Sequence, residues 1–281
     1  MKDAFTIRSF TECKRAGRKI VTITAYDATF ARLCDEAGVD VVLVGDSLGM
    51  VIQGQPNTLA VTLDQMLYHT RNVSRGLQRA FLVMDLPFPS LPVSRERAVE
   101  AAVRALSEGA AQAVKIEGST PYVLDLVGHL VSHGIPVMGH VGLVPQSVHQ
   151  MGGFRIQGRS KEAGARVLEG ARRLEEAGAF SVVLEAIPHG LAKEISGALR
   201  IPTIGIGAGP HCDGQVLVSY DLLGLNETYC PRFVKKYADL TGTVKTALGE
   251  YASEVRAGVF PAVVDGDGAT ADGGGERTER T

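Results

Sequence analysis

The sequence predicts an α/β protein built as a (β/α)8 TIM barrel, with an N-terminal capping helix and a disordered C-terminal tail. Three observations carry that prediction. Short β-branched runs recur, each followed by a helix-period stretch, and eight such units in roughly 220 residues fit a barrel of this kind. Segments with apolar residues at i, i+3, i+4 and i+7 lie between the runs, and the joints from helix to strand repeat a glycine.

In chain order, Phe5–Arg18 reads as a helix over the barrel floor, with Thr6 as its N-cap. The strand candidates are Lys19–Asp27, Asp40–Ser47, Arg79–Pro87, Ala113–Gly118, Pro136–Gly142, Ser181–Ile187, Pro202–Gly209 and Gln215–Leu222. Amphipathic segments such as TFARLCDEAG, RERAVEAAVRALSEG and EAGARVLEGARRLEEAG separate them. Helices are expected to end at Gly38, Gly109, Gly134 and Gly178, where a left-handed cap needs no Cβ. Alternation of strand and helix implies parallel pairing through right-handed crossovers. Nearly continuous apolar strands imply that both sheet faces are covered. An open doubly wound sheet shares this periodicity and is the alternative. Residues 1–264 are read as one catalytic barrel domain. The tail 265–281, DGDGATADGGGERTERT, has almost no apolar content and is expected to be disordered.

With 281 residues the chain can bury a large core. A formal net charge of −2 excludes the basic footprint of a nucleic-acid binder or a polybasic membrane patch. Cys13, Cys34, Cys212 and Cys230 are scattered, without zinc-ligand spacing, and read as reduced thiols. The N-terminus lacks an apolar signal region, and no run approaches a membrane span, so a cytoplasmic protein is expected.

A parallel barrel gathers its chemistry at the C-terminal ends of its strands. Strand 2 ends in Asp46-Ser47 and strand 3 in Asp85. Strand 4 carries Lys115 and Glu117, two apart and so on one face, leaving Val114 and Ile116 for the helix side. Strand 5 ends near His140, and strand 6 carries Glu185. Taken singly, each acid is more often a cap or turn residue, Lys115 a structural ion-pair partner and His140 a satisfied core histidine. Together, four carboxylates, a lysine and a histidine at one end of five consecutive strands point to a site, because uncompensated buried charge is costly. Asp46, Asp85 and Glu117 offer hard oxygen donors suited to Mg²⁺, with Mn²⁺ or Co²⁺ as substitutes. Such an ion polarises the carbonyl of a 2-oxo acid, Lys115 faces the substrate carboxylate, and Glu185 is left free as a base. GIGAG at 205–209 follows the seventh strand and lacks the full dinucleotide fingerprint, so it reads as a tight turn. The long loop after strand 5, with Gly152-Gly153, reads as a lid, a second-substrate contact or a mobile surface loop.

VGDSLGMVIQG, VTLDQMLYHTRNVSRG, VMDLPF, AVKIEG, MGHVGLVPQSVHQMGGF and IGIGAGPHCDGQVLV resemble the ketopantoate hydroxymethyltransferase (3-methyl-2-oxobutanoate hydroxymethyltransferase) family, from about Thr22 to Pro261. The resemblance implies a barrel of the phosphoenolpyruvate/pyruvate superfamily and a homodecamer. It also implies transfer of a hydroxymethyl group from 5,10-methylenetetrahydrofolate to 3-methyl-2-oxobutanoate through a Mg²⁺-stabilised enolate, giving 2-dehydropantoate for pantothenate synthesis. Carried over by position, Asp46 and Asp85 bind Mg²⁺ and Glu117 contacts it through water. Ser47 and Lys115 bind substrate together with the two aspartates, Glu185 is the catalytic base, and His140 lines the site. The rival readings are a carbon–carbon lyase or decarboxylase of the same superfamily and an inactive scaffold barrel. Lyase relatives place a cysteine near the end of strand 4 or 5, and none stands there. The candidate acids argue against the scaffold.

Overall fold

The computed structural model describes residues 4–153, 155–226 and 231–261. Eight parallel strands close on themselves in chain order. They are β1 (Ile20–Thr24), β2 (Val41–Val44), β3 (Phe81–Asp85), β4 (Ala113–Glu117), β5 (Val137–Gly142), β6 (Ser181–Glu185), β7 (Thr203–Ile206) and β8 (Gly214–Leu217). Closure is made by β1 against β8, with Ile20 opposite Gly214 and Ile23 opposite Leu217. This rules out the open doubly wound sheet.

The strands are shorter than their apolar runs. The eighth was expected over Gln215–Leu222, but its ladder ends at Leu217, and Ser219–Leu222 turns into a short helix. The Ser219 N–H donates to the Thr24 hydroxyl at the end of β1, a bond that draws the chain out of the ladder. The second strand ends at Val44, leaving Asp46 and Ser47 in the turn beyond it.

Two apolar layers flank the strands. Ile20, Val41, Leu43, Phe81, Val83, Ala113, Met138, Val183, Ile204 and Val216 fill the barrel. Val42, Val44, Val114, Ile116, Val182 and Leu184 face outward against the helices. Alternation along β4 therefore sends Lys115 and Glu117 inward, as the period of two requires.

The floor is sealed by α1 (Ile7–Ala16). Thr6 stands at its N-cap with extended backbone, and its own N–H is held by the Ser9 hydroxyl. Phe10 packs edge-on against Phe5, Phe81 and Phe180 inside the barrel, and is fully buried. Lys14 closes the seam, donating to Asp213 between β7 and β8.

Around the outside lie α2 (Ala28–Glu36), then the single turn α3 (Leu48–Val51), α4 (Leu63–Ser74), α5 (Arg95–Ser107) and α6 (Pro121–Ser132). Further along come the short α7 (Val148–Met151), α8 (Lys161–Glu176), α9 (His189–Ala198) and α10 (Ser219–Leu222). Gly38, Gly134 and Gly178 adopt the expected left-handed conformation. Gly109 does not; the left-handed residue there is Ala110. Gly109 is needed for space instead, since a Cβ would lie 2.6 Å from the Ala105 carbonyl oxygen.

The chain divides into two compact units, residues 1–238 and 239–281. The second contains α11 (Leu240–Arg256), N-capped by Asp239, which accepts from the Gly242 N–H. The tail 265–281 and Cys230 lie outside the described residues.

Candidate active site

The ends of β2 to β6 bring every candidate residue to one end of the barrel. Register does much of the placing. Asp85 on β3 is the lateral partner of Lys115 on β4, Glu117 is the partner of His140 on β5, and Gly142 is the partner of Glu185 on β6. Lys115 Nζ stands 2.9 Å from Asp85 Oδ1 and 3.6 Å from Glu117 Oε1, so the lysine bridges the two acids. Asp85 Oδ2 accepts the backbone N–H of Asp46 at 3.1 Å, which fixes the turn after β2 onto β3.

At Gly45 of that turn a Cβ would lie 2.7 Å from Ser47 Oγ, so a side chain there would push the Ser47 hydroxyl out of its place. Ser47 occupies the N-cap position of α3 but makes no capping bond. Its hydroxyl lies 2.9 Å from the Tyr26 hydroxyl at the end of β1. Ser47 is thus held for something other than capping.

The tautomer of His140 follows from its partners. Nε2 lies 2.7 Å from the Leu143 carbonyl oxygen, which can only accept, so Nε2 carries the hydrogen. Nδ1 is left with a lone pair 3.3 Å from Lys115 Nζ and accepts from it. Burial, then the charge of Lys115, holds the imidazole well below its usual pKa, and it is neutral. Glu185 Oε2 approaches the same Nε2 at 3.4 Å.

Electrostatics separate the acids. Burial first and Asp85 second push Asp46 up to about 6. Burial raises Asp85, against the pull of Lys115. Burial also lifts Glu117 well above the ordinary carboxylate range. Glu185 reaches about 8, again through burial, with Lys115 pulling it down and Asp46 and Asp85 pushing it up. Its side chain remains 18% exposed, against 4% for Asp85 and Glu117, so it is the acid that a ligand can reach. Lys115 is disfavoured by burial, yet Asp85, Glu117 and Asp46 together keep it charged.

Two residues escaped the sequence reading. Gln146, in the 3-10 turn Pro145–Ser147, donates from Nε2 to Asp46 Oδ2 at 3.0 Å and to the Leu86 carbonyl at 2.9 Å. Its backbone N–H donates to Glu117 Oε2 at 3.0 Å. Tyr26, deeply buried, holds Ser47. Tyr26 closes the first strand at the end that carries the chemistry, which was the available signal. Gln146 sits mid-loop, a hundred residues from Asp46, and had none.

Among the described residues, no three ligating groups converge on one point as they stand, because Lys115 stands between Asp85 and Glu117. The donor set nevertheless suits a hard cation. Four carboxyl groups surround one lysine and a neutral imidazole, so hard oxygen donors outnumber the cation among them. Asp85 Oδ1, though ion-paired, is buried without a well-formed hydrogen bond.

A profile of the ketopantoate hydroxymethyltransferase family matches residues 4–263. The chain is similar to 3-methyl-2-oxobutanoate hydroxymethyltransferase of Cyanothece sp., 56% identical over 91% of this chain and 98% of that protein. The enzyme of that name from Pelobacter propionicus is 53% identical over 93% and 96%. Among solved structures, phosphonopyruvate hydrolase in complex with oxalate and Mg²⁺ aligns with a TM-score of 0.60 at 12% identity, over 92% and 90% of the two chains. A 2,3-dimethylmalate lyase of the PEP mutase/isocitrate lyase superfamily aligns at 0.58 and 15%, over 93% and 91%. These two share the barrel alone, whereas identity above one half across nine-tenths of the sequence reaches further: the chain belongs to the ketopantoate hydroxymethyltransferase family.

Proposed function

We propose that the protein transfers a hydroxymethyl group from 5,10-methylenetetrahydrofolate to 3-methyl-2-oxobutanoate, giving 2-dehydropantoate for pantothenate synthesis. The observation that carries the mechanism is the contrast between Glu185, raised to about 8 and partly open, and the buried set around Lys115. Asp46 and Asp85 would hold one Mg²⁺, with Glu117 behind them. When bound, that ion supplies Lewis-acid polarisation of the 2-oxo group.

The residues of the chain do the rest. Ser47, oriented by Tyr26, and Lys115 receive the substrate carboxylate. His140, neutral, accepts from Lys115 and so aims its ammonium group. Glu185 removes the C3 proton as general base, helped by a pKa near the working pH. Water cleaves the methylene bridge of the donor, which releases tetrahydrofolate and leaves the carbon as formaldehyde; C3 adds to that carbon, and the alkoxide so formed takes up the proton that Glu185 had removed. A homodecameric assembly in the cytoplasm accompanies this reading, from the family resemblance; among the described residues no helix is long and apolar enough to cross a membrane. The lyase alternative has only fold-level likeness behind it.

The test is an assay of purified protein with 3-methyl-2-oxobutanoate, 5,10-methylenetetrahydrofolate and Mg²⁺, with 2-dehydropantoate as the expected product. Cleavage of a 2-oxo acid without product in that assay would transfer the protein to the lyases. Sedimentation velocity tests the decamer.

A further inference from the structure

A second cavity wall begins where the catalytic carboxylates end. A cleft of about 540 Å³ lies over the β3–β5 side of the barrel top and meets the described site at Glu117, Gly142 and Gln146. Its volume falls in the range of small-molecule sites, and its lining mixes apolar surface with a few polar groups. Phe88 and Tyr122 present rings that are 36% and 40% exposed. The Tyr122 hydroxyl is anchored to the Leu91 carbonyl at 2.7 Å, so its ring is a fixed surface rather than a swinging one. The amides of Gln150 and Gln157 supply donors and acceptors, and Arg166 of α8 stands on the exposed side. Arg166 forms no salt bridge among the described residues.

We infer that this cleft binds the pterin-containing one-carbon donor, a deduction that rests on the function proposed above. The chemistry of the walls matches the parts of such a molecule. A flat heteroaromatic ring buries its faces on aromatic surface, its edge needs amide-type hydrogen bonds, and its anionic tail needs a cation. The cleft meets the site along the ends of β4 and β5, at Glu117 and at Gly142, the latter the lateral partner of Glu185. Gln146, which lines the cleft and holds both Asp46 and Glu117, makes the boundary between the two compartments.

The probe is tetrahydrofolate, titrated calorimetrically into the full-length Mg²⁺-loaded protein. Three variants are compared with wild type: Arg166→Ala, Tyr122→Ala, and Ala163→Phe, which places bulk into the cleft from α8. Each should weaken tetrahydrofolate by about tenfold or more, as truncation or blocking of an anchor does. Each should leave the affinity for 3-methyl-2-oxobutanoate and its cofactor-free C3 proton exchange in D₂O at wild-type values. Unchanged tetrahydrofolate affinity in all three variants overturns the assignment. Parallel loss of oxo-acid binding and exchange in the variants also overturns it, by making these residues structural. A wild type that binds tetrahydrofolate through the cleft but never exchanges the C3 proton leaves the cleft standing and removes the proposed function instead.

Discussion

His140 shows how little freedom a buried imidazole keeps. With Nε2–H committed to the Leu143 carbonyl and Nδ1 to Lys115, it can neither gain nor lose a proton without breaking a buried bond. Proton transfer is left to Glu185. Glu185→Gln should retain oxo-acid binding while C3 exchange in D₂O, followed by proton NMR, falls about 10²–10⁴-fold. Equal rates would place the base elsewhere. Lys115 is the sole cation the described structure places among these buried acids, so Lys115→Met strips Asp85 and Glu117 of their partner. The metal-free variant should lose about 3–5 kcal/mol of stability, read from urea unfolding, because a buried charge is left uncompensated. Gln146 touches two proposed metal-site carboxylates from outside. Gln146→Leu should weaken Mg²⁺ about 10–100-fold by calorimetry, the usual cost of losing a residue that orients ligands. Unaltered Mg²⁺ affinity would reduce Gln146 to packing.

At the scale of the element, the end of each strand decides what its last residue can do. Gly142, the last residue of β5, has φ +101°, and a Cβ there would meet the Glu185 carbonyl oxygen at 2.2 Å. That contact involves backbone and cannot be relieved by a rotamer. Gly142→Ala should therefore cost at least about 1–3 kcal/mol of stability and displace the end of β6, lowering exchange in the protein that still folds. Ala186, the next residue after β6, is left-handed at φ 47°, so the chain already stores strain beside Glu185. Much of this architecture was legible in the sequence. Strands covered on both faces give continuous apolar runs too short for buried helices, and Lys115 and Glu117 announced their shared face by spacing alone. Strand ends were less legible, because the polar residue that closes a run belongs to the turn, as with Asp46, or to a helix, as with Ser219. Gln146 and Tyr26 were hidden for another reason. Their partners are set by three-dimensional closure of the barrel, and neither residue type is charged.

For the molecule as a whole, protonation and folding are linked through the carboxylates. Asp46 and Glu185 have folded pKa values raised to about 6 and about 8. A raised acid stabilises the fold fully below its unfolded pKa of about 4. That contribution is lost as pH rises through the folded value. The metal-free protein should thus lose stability between pH 4 and pH 8, roughly the span of these values. Mg²⁺, which favours the ionised forms, should raise Tm more at about pH 8 than at about pH 6. Thermal melts with and without Mg²⁺ check this, and a Mg²⁺ effect independent of pH contradicts it. The opposite end of the barrel takes no part in that titration. There Phe10 of α1 is clasped by Phe5, Phe81 and Phe180, and Phe10→Ala should cost about 3–5 kcal/mol with the oxo-acid affinity of the folded fraction unchanged. The floor can therefore drift toward heat or cold tolerance by trading one hydrocarbon for another, while the chemistry at the rim inherits none of the change.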